Sequence, residues 1–331
     1  MTCFLKLEHT WPELLSPQTM VRVDIDAISR NIRALQGLTA PGIKFMAVVK
    51  ANAYGHGAVG VAKTALKSGA DMLAVARISE AVELRNAGIE APILLFGDVL
   101  PAQAPYLAEH DIRATVTCLD MGYALAAALD SSEKHLNIHI KVDTGMGRLG
   151  FVHTGLNPHQ YPPENAIDDI LTLGTLPKLS VEGIYTHLSK ADEQDKTHAR
   201  KQINRFLKLT DRLRDRGFDP GIRHIANSAT VIDLIEAHLD MIRPGIAIYG
   251  LWPSNEVDTT RLTLEPAMSI HTKVIQLKSV PAGFGVSYGG THVTQAPTII
   301  ATVPVGYADG FSRLLSNQGH MLVKGTQAPI L

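Results

Sequence analysis

Cysteine is scarce: Cys3 and Cys118 are the only two in 331 residues. They form neither a disulfide framework nor a metal-ligand spacing, so they read as reduced, incidental thiols of an intracellular protein, and no metal site is expected. Long hydrophobic runs are also missing. No stretch reaches the roughly 18 continuous apolar residues that a membrane helix needs. The N-terminus, Met1-Thr-Cys-Phe-Leu-Lys-Leu-Glu-His-Thr-Trp11, has no basic segment leading into an apolar one. A signal peptide is therefore not expected, and the cytoplasm is the default location. Net charge is −1 with no basic stripe, which argues against nucleic acid as a partner.

What remains is a chain with ample apolar mass, 45 % hydrophobic and 19 % charged, as in soluble globular proteins. Eight strand-like runs follow one another from residue 43: Ile43–Val49, Met72–Ala76, Pro92–Phe96, Ile112–Thr117, Asn137–Val142, Val181–His187, Ile222–Ala226 and Asp240–Arg243. Helical patterns lie between most of them. One spans Ala58–Ser68 and is closed by Gly69; another opens at Ser79, a natural N-cap, and closes at Gly88. The longest runs from Asp192 to Arg216, where its many charges read as a solvated outer face. Eight alternating units over roughly 210 residues fit a closed (β/α)8 TIM-like barrel.

An open doubly wound sheet is the alternative. Gly55, Gly57 and Gly60 do match the glycine spacing of a dinucleotide fingerprint. However, the second strand ends Ala74-Val-Ala-Arg77, without the acidic residue such a site uses, so a dinucleotide is discounted.

After Trp252 the texture changes to a polar connector and then to β-rich runs, Met268–Gln276 and Thr298–Val305, with no helix between them. The expected division is a barrel over residues 1–250 and a β domain over 251–331, with an early strand at about 20–25 able to join the β domain. At the C-terminus, His320–Val323, a turn at Lys324-Gly-Thr-Gln327 and Ala328-Pro-Ile-Leu331 read as a hairpin cut off as its second strand begins. The expectation is an incomplete chain.

Chemically capable residues gather just after the strands, at the end where barrel active sites are built. Lys50 and Tyr54 follow the first strand, Arg148 the fifth, His187 ends the sixth, Asn227 and Ser228 follow the seventh, and Arg243 to Ile246 the eighth. Each has a plain structural reading. Lys50 can snorkel to the surface, His187 can be a core histidine, and Ser228 can cap a helix over Ala229–Ala237. Together, on one end of one barrel, they suit one ligand. A lysine held in a cleft is pushed toward the neutral amine that condenses with aldehydes. Ser228 with Gly245 and Ile246, presenting free N–H groups, makes an anion cradle, to which Tyr54 adds a hydroxyl. A phosphorylated aldehyde bound in this way is pyridoxal 5′-phosphate.

These residues sit in longer motifs: Val48-Val-Lys-Ala-Asn-Ala-Tyr-Gly-His-Gly57, Lys141-Val-Asp-Thr-Gly-Met-Gly-Arg148, Ala226-Asn-Ser228, Arg243-Pro-Gly-Ile-Ala-Ile-Tyr-Gly250, Val286-Ser-Tyr-Gly289 and Pro304-Val-Gly-Tyr-Ala-Asp-Gly310. Over essentially its whole length the sequence resembles alanine racemase, a pyridoxal-phosphate enzyme with a barrel and a C-terminal β domain. The resemblance implies that Lys50 forms the Schiff base and that Tyr54, Asn227, Ser228, Gly245 and Ile246 hold the phosphate. His187 would stack beside the pyridine ring and Arg243 would face its nitrogen. Tyr288 would be the second catalytic base, supplied by the other subunit of a homodimer, with Tyr307 near the substrate entrance. Arg148 would bind the carboxylate of L- or D-alanine, and Lys141 matches a lysine carbamylated in some members. The family pattern continues past residue 331, with a methionine and a tyrosine that have no counterpart here.

Racemisation needs a proton removed from one face of Cα and delivered to the other, a task for Lys50 and Tyr288. The implied product is D-alanine for peptidoglycan. Rival readings are a broad-specificity or serine racemase of the same fold, a fold-related decarboxylase, and a non-catalytic pyridoxal-phosphate carrier. Arg243 speaks against the decarboxylase, which would place a carboxylate at the ring nitrogen. The presence of residues 264–331 speaks against the carrier.

Overall fold

Side-chain alternation along one strand shows how this sequence makes a barrel with a chemical interior. The computed structural model describes residues 18–155 and 163–331. Its first strand, β1 (Thr19–Val23), pairs with a strand of the C-terminal unit. The barrel strands are β2 (Lys44–Val48), β3 (Met72–Val75), β4 (Ile93–Leu95), β5 (Ile112–Val116), β6 (Leu136–Asp143), β8 (Leu179–Tyr185), β9 (Ile222–His224) and β10 (Met241–Ile242). A two-residue strand, β7 (Phe151–Val152), pairs with the end of β6.

In β6 the apolar set Leu136, Ile138, Ile140 and Val142 is fully buried in the large core that the strands share with the helices. Successive side chains point to opposite faces, so Asn137, His139, Lys141 and Asp143 turn the other way, toward the barrel axis. β5 repeats the pattern, with Ile112, Ala114 and Val116 in the outer core and Arg113 and Thr115 between them. Strands of a buried parallel sheet are normally apolar on both faces, so this alternation marks an interior with work to do. The opposite wall is ordinary: Met46, Val48, Met72, Ala74, Leu94 and Met241 form a separate small cluster inside the ring.

All neighbouring strands are parallel, in the order β10-β2-β3-β4-β5-β6-β8-β9. The remaining seam, β9 to β10, is held by two backbone bonds, Asp240 N–H to Arg223 O at 3.1 Å and Arg243 N–H to Ala226 O at 2.8 Å. The result is a nearly closed eight-strand parallel barrel. Against β8 the register of β6 slips between Ile138 and His139, which pair with Val181 and Gly183. Glu182 is the extra residue of that bulge.

A helix not expected from the sequence, Ile25–Gln36, precedes the barrel. Asp24 caps it by accepting the Ala27 N–H, and Ile28, Ile32 and Leu35 bury one face at helical spacing. Other helix starts differ from expectation for identifiable reasons. Ser79 lies inside the first turn of Ile78–Asn86; Glu80 serves that end instead, with Oε2 accepting the N–H groups of Ala76 and Arg77 at 2.7 and 3.1 Å. The long helix is Thr197–Asp215, starting five residues later than expected, because Asp195 Oδ1 turns back to the Thr197 N–H in an Asx-type turn.

Contacts divide the chain into two units, Val23–Ala267 and the residues up to Arg22 together with Met268–Leu331. The division falls later than residue 250 because residues 251–267 pack on the barrel. Buried Asn31 donates to Glu265 O and accepts the Glu265 N–H, each at 2.8 Å, and Leu264 and Ala267 join the barrel core.

In the second unit β1 pairs with β11 (Met268–Thr272). The run read as one strand to Gln276 is two strands, since β12 (Gln276–Val280) pairs antiparallel with β15 (Thr298–Thr302). Between these lie the short strands β13 (Gly285–Val286) and β14 (His292–Val293). The last hairpin, β16 (His320–Val323) and β17 (Thr326–Pro329), pairs along its full length rather than breaking off. Its turn is only Lys324-Gly325, both at positive φ, which leaves Thr326 and Gln327 to the second strand.

Candidate active site

A cavity of about 490 Å³ opens at the carboxyl ends of the barrel strands. Lys50, Tyr54, Lys141, Arg148, His187, Asn227, Ser228, Arg243, Gly245 and Ile246 all line it. Half-buried Lys50 is followed by a left-handed turn. Ala51, Asn52, Ala53 and Tyr54 have φ of 52–53°, a conformation that disfavours each of them by about 1–2 kcal/mol. Three contacts hold it: Glu80 Oε1 accepts the Ala51 N–H at 2.7 Å, Asn52 Oδ1 accepts the Ala58 N–H at 2.8 Å, and Gly55 closes it at φ 85°. The turn sends Tyr54 back over the cavity, its ring 4.9 Å from that of buried Tyr249.

Tyr54 then faces Gly245, where any β-carbon would lie 2.6 Å from the tyrosine oxygen. Ser228 is not a helix cap. Asn227 caps Ser228–Asp233 through its side-chain oxygen, and Ser228 Oγ instead accepts the N–H groups of Gly245 and Ala247 at 2.9 and 3.3 Å. The Gly245 N–H is therefore engaged rather than free, and the hydroxyl of Ser228 is fixed in place by it. Tyr54, Ser228 and the Gly245-Ile246 backbone make a cradle that a side chain at residue 245 would fill.

The electrostatics of the cavity are cationic. Lys50, Lys141, Arg148 and Arg243 line it, against Asp192 as the acidic residue of the lining. Burial, reinforced by repulsion from Arg243 and Arg148, pushes His187 down to about 3, so its imidazole is neutral. Lys141, 4 % exposed, donates to Val142 O at 2.8 Å and lies 5.5 Å over the Tyr185 ring. Burial, against the pull of Asp143, brings its amine down to about 7. Arg148 ends a tight turn built on Asp143, whose carboxylate accepts backbone N–H groups from Gly145, Met146, Gly147 and Arg148 at 2.8–3.2 Å. Burial alone would raise Asp143; those four bonds outweigh it and hold the carboxyl below its usual range.

Arg243, 4 % exposed, is pinned by three acceptors: His224 Nδ1 at 3.0 Å, Thr186 O at 2.8 Å and Ile225 O at 3.4 Å. Tyr185 stacks flat on His224 with centroids 4.8 Å apart and bonds Thr115 Oγ1 at 3.0 Å. Nothing in the sequence near His224, Tyr185 or Glu80 marks these three as part of the site. The period-two polarity of β5 and β6 was the signal available for such an interior. Tyr288 and Tyr307 belong to the second unit, where their side chains are 75 % and 65 % exposed.

The profile of the alanine racemase N-terminal domain matches residues 23–253, and that of the C-terminal domain matches residues 267–331. The chain belongs to the alanine racemase family. It is 48 % identical to alanine racemase of Desulfosudis oleivorans over 309 residues, 93 % of this chain and 79 % of that protein. With the enzyme of Desulforamulus reducens the figures are 45 %, 93 % and 81 %. The crystal structure of alanine racemase from Bacillus anthracis with bound L-Ala-P superimposes with a TM-score of 0.85 at 38 % identity, covering 95 % of this chain and 79 % of that one. The protein is a pyridoxal-phosphate-dependent amino-acid racemase, an isomerase acting on alanine. Its residues fit that cofactor: a hydroxyl-lined cradle without a β-carbon suits a phosphate, and a primary amine in the same cavity suits an aldehyde.

Proposed function

We propose that Lys50 and Tyr288 are the two proton-transfer groups of alanine racemisation. Lys50 serves one face of the substrate Cα, and Tyr288 of the partner subunit serves the other. The observation that carries this reading is the cavity itself, where the Lys50 amine shares about 490 Å³ with a hydroxyl cradle, a neutral imidazole and the guanidinium groups of Arg148 and Arg243. When bound, pyridoxal 5′-phosphate supplies the electron withdrawal that makes the alanine Cα–H removable.

Tyr54, Asn227, Ser228, Gly245 and Ile246 hold the phosphate group, and His187, unable to charge, packs beside the ring without repelling the cations around it. Arg243, a group with donors only, would meet the ring nitrogen and leave it unprotonated, which would discourage side reactions such as transamination. Arg148 binds the substrate carboxylate, and Tyr307 stands at the entrance. Lys50 Nζ takes or returns the proton on its face while Tyr288 Oη does so on the opposite one. The high exposure of Tyr288 within its own chain supports its use by a second protomer in a homodimer.

The amine of Lys141, brought down to about 7, supports a carbamate at that residue steadying Arg148. A carbamate signal from ¹³C-bicarbonate in the wild type that is absent from Lys141→Met tests this. We assign cofactor binding to the barrel unit, Val23–Ala267, and the tyrosines Tyr288 and Tyr307 to the β unit that contains Met268–Leu331. D-alanine for peptidoglycan is the use, in the cytoplasm, with small-molecule partners rather than nucleic acid or membrane. Among the described residues no helix is long and apolar enough to cross a membrane.

Borohydride reduction followed by peptide mass mapping tests the central assignment. The cofactor mass should appear on the peptide containing Lys50 and be lost in Lys50→Ala. Retention on another lysine would overturn it.

A further inference from the structure

Behind Arg243 a chain of hydrogen bonds runs through the barrel interior to its other end. His224 Nδ1 meets Arg243 Nη1 at 3.0 Å, and His224 Nε2 meets His139 Nδ1 at 2.7 Å. His139 Nε2 meets Glu182 Oε2 at 3.3 Å, and the same oxygen accepts Arg113 Nε at 2.7 Å. Arg113 is itself tied to Asp111 at 2.7 Å. Both imidazoles are 0 % exposed, so solvent cannot take over either end of a broken link. The arrangement is built for the rings: a β-carbon on Gly183 would lie 2.8 Å from His139 Nδ1, and the β-bulge brings Glu182 beside that histidine.

The chain reads in one direction. A guanidinium has five donors and no acceptor, so His224 Nδ1 must be the bare, accepting nitrogen. Its proton then sits on Nε2 and points at His139 Nδ1, which must also be bare. The His139 proton is therefore on Nε2 and points at Glu182. Burial, with Arg243 as a further cationic neighbour, opposes a charge on either ring. Two neutral imidazoles could both reverse, and then His224 would present an N–H to an Arg243 N–H, donor against donor. A group that only accepts, placed at the far end, forbids this.

We propose that Glu182 is a positioning residue: it fixes His139 and His224 as Nε2–H tautomers and so keeps a lone pair, not a proton, against Arg243. The consequence for catalysis rests on the role given to Arg243 above; the tautomer claim does not. Reversal would push the guanidinium off His224 and out of its fixed attitude toward the cavity.

The experiment is ¹⁵N NMR of histidine-labelled, cofactor-free protein, with signals assigned through His139→Asn and His224→Asn, joined to racemisation kinetics. Wild type should show both rings as neutral Nε2–H forms. Glu182→Leu removes the acceptor, so a population with Nδ1–H should appear at both rings, and kcat should fall about tenfold with KM changed less than about twofold. Glu182→Gln also loses the ion pair with Arg113 but can keep a carbonyl at the Oε2 position. It should retain the wild-type tautomers and restore kcat to within about twofold. Glu182→Ser, too short to reach His139, replaces the leucine variant if that does not fold. Unchanged tautomers in Glu182→Leu would overturn the proposal, as would a Glu182→Gln protein as slow as Glu182→Leu with its tautomers intact. A tautomer shift with unchanged kcat would leave the positioning of the rings standing and overturn its link to Arg243.

Discussion

The tyrosine oxygen of Tyr54 stands where it would be 2.6 Å from a β-carbon at residue 245, so glycine at 245 and the tyrosine hydroxyl at 54 require each other. The two lie in loops after the first and last barrel strands, so the contact also sets the width of the cradle. Gly245→Ala should displace the hydroxyl and weaken cofactor binding by about tenfold, the loss of roughly one hydrogen bond. Fluorescence titration of the cofactor-free protein with pyridoxal 5′-phosphate measures this. Equal affinity in the alanine variant would show that the hydroxyl is not part of the cradle.

The left-handed turn from Ala51 to Tyr54 predicts an unusual pattern at an exposed alanine. Ala51→Gly relieves about 1–2 kcal/mol of strain and loosens the unfolded chain by about 0.4–1 kcal/mol, so it should be at least as stable as wild type, by up to about 1 kcal/mol. Ala51→Val adds a β-branched side chain at φ 52° and should cost about 1–2 kcal/mol. Chemical denaturation of both proteins provides the comparison. A valine variant as stable as the glycine variant would contradict the strained conformation.

How much of this was legible in the sequence follows from what each residue has to say locally. The runs of β2, β3 and β4 announce themselves because a buried parallel strand is continuously apolar, β5 and β6 by their period-two alternation, and all eight runs lie within a residue or two of their observed positions. Lys50, Arg148, His187, Ser228 and Arg243 stand at strand ends, where polar residues break those runs, so they too are visible. Less visible is what depends on a partner distant in sequence. His139 looked like part of a strand because its partner, His224, is 85 residues away. Ser228 read as a cap because nothing local reveals that Gly245 and Ala247 will approach it. The handedness of the turn after Lys50 was equally hidden, since alanine disfavours it and one of the groups that hold it, Glu80, lies on another helix.

Lys141 gives a prediction about pH and stability. Burial brings its folded value down to about 7, whereas the unfolded lysine keeps the model-peptide 10.5. Between those two values the unfolded chain holds a proton that the folded chain has released, so stability rises with pH across the window. Below it the folded protein carries the full cost of a buried charge, on the order of a few kcal/mol. In carbonate-free buffer Lys141→Met should therefore be more stable than wild type at the acidic end, with the gap closing as pH climbs through the window. Denaturation midpoints across the pH range decide it. A constant gap would mean that the amine is not desolvated.

The division of labour between Lys50 and Tyr288 is tested most directly by Cα proton exchange in D₂O, started separately from L-alanine and D-alanine with the Tyr288→Phe enzyme. If each group serves one face, loss of the phenol should slow exchange from L-alanine more than from D-alanine, while Lys50 still works its own face. Equal slowing from both enantiomers would contradict a face-specific base at Tyr288, and with it the two-sided transfer.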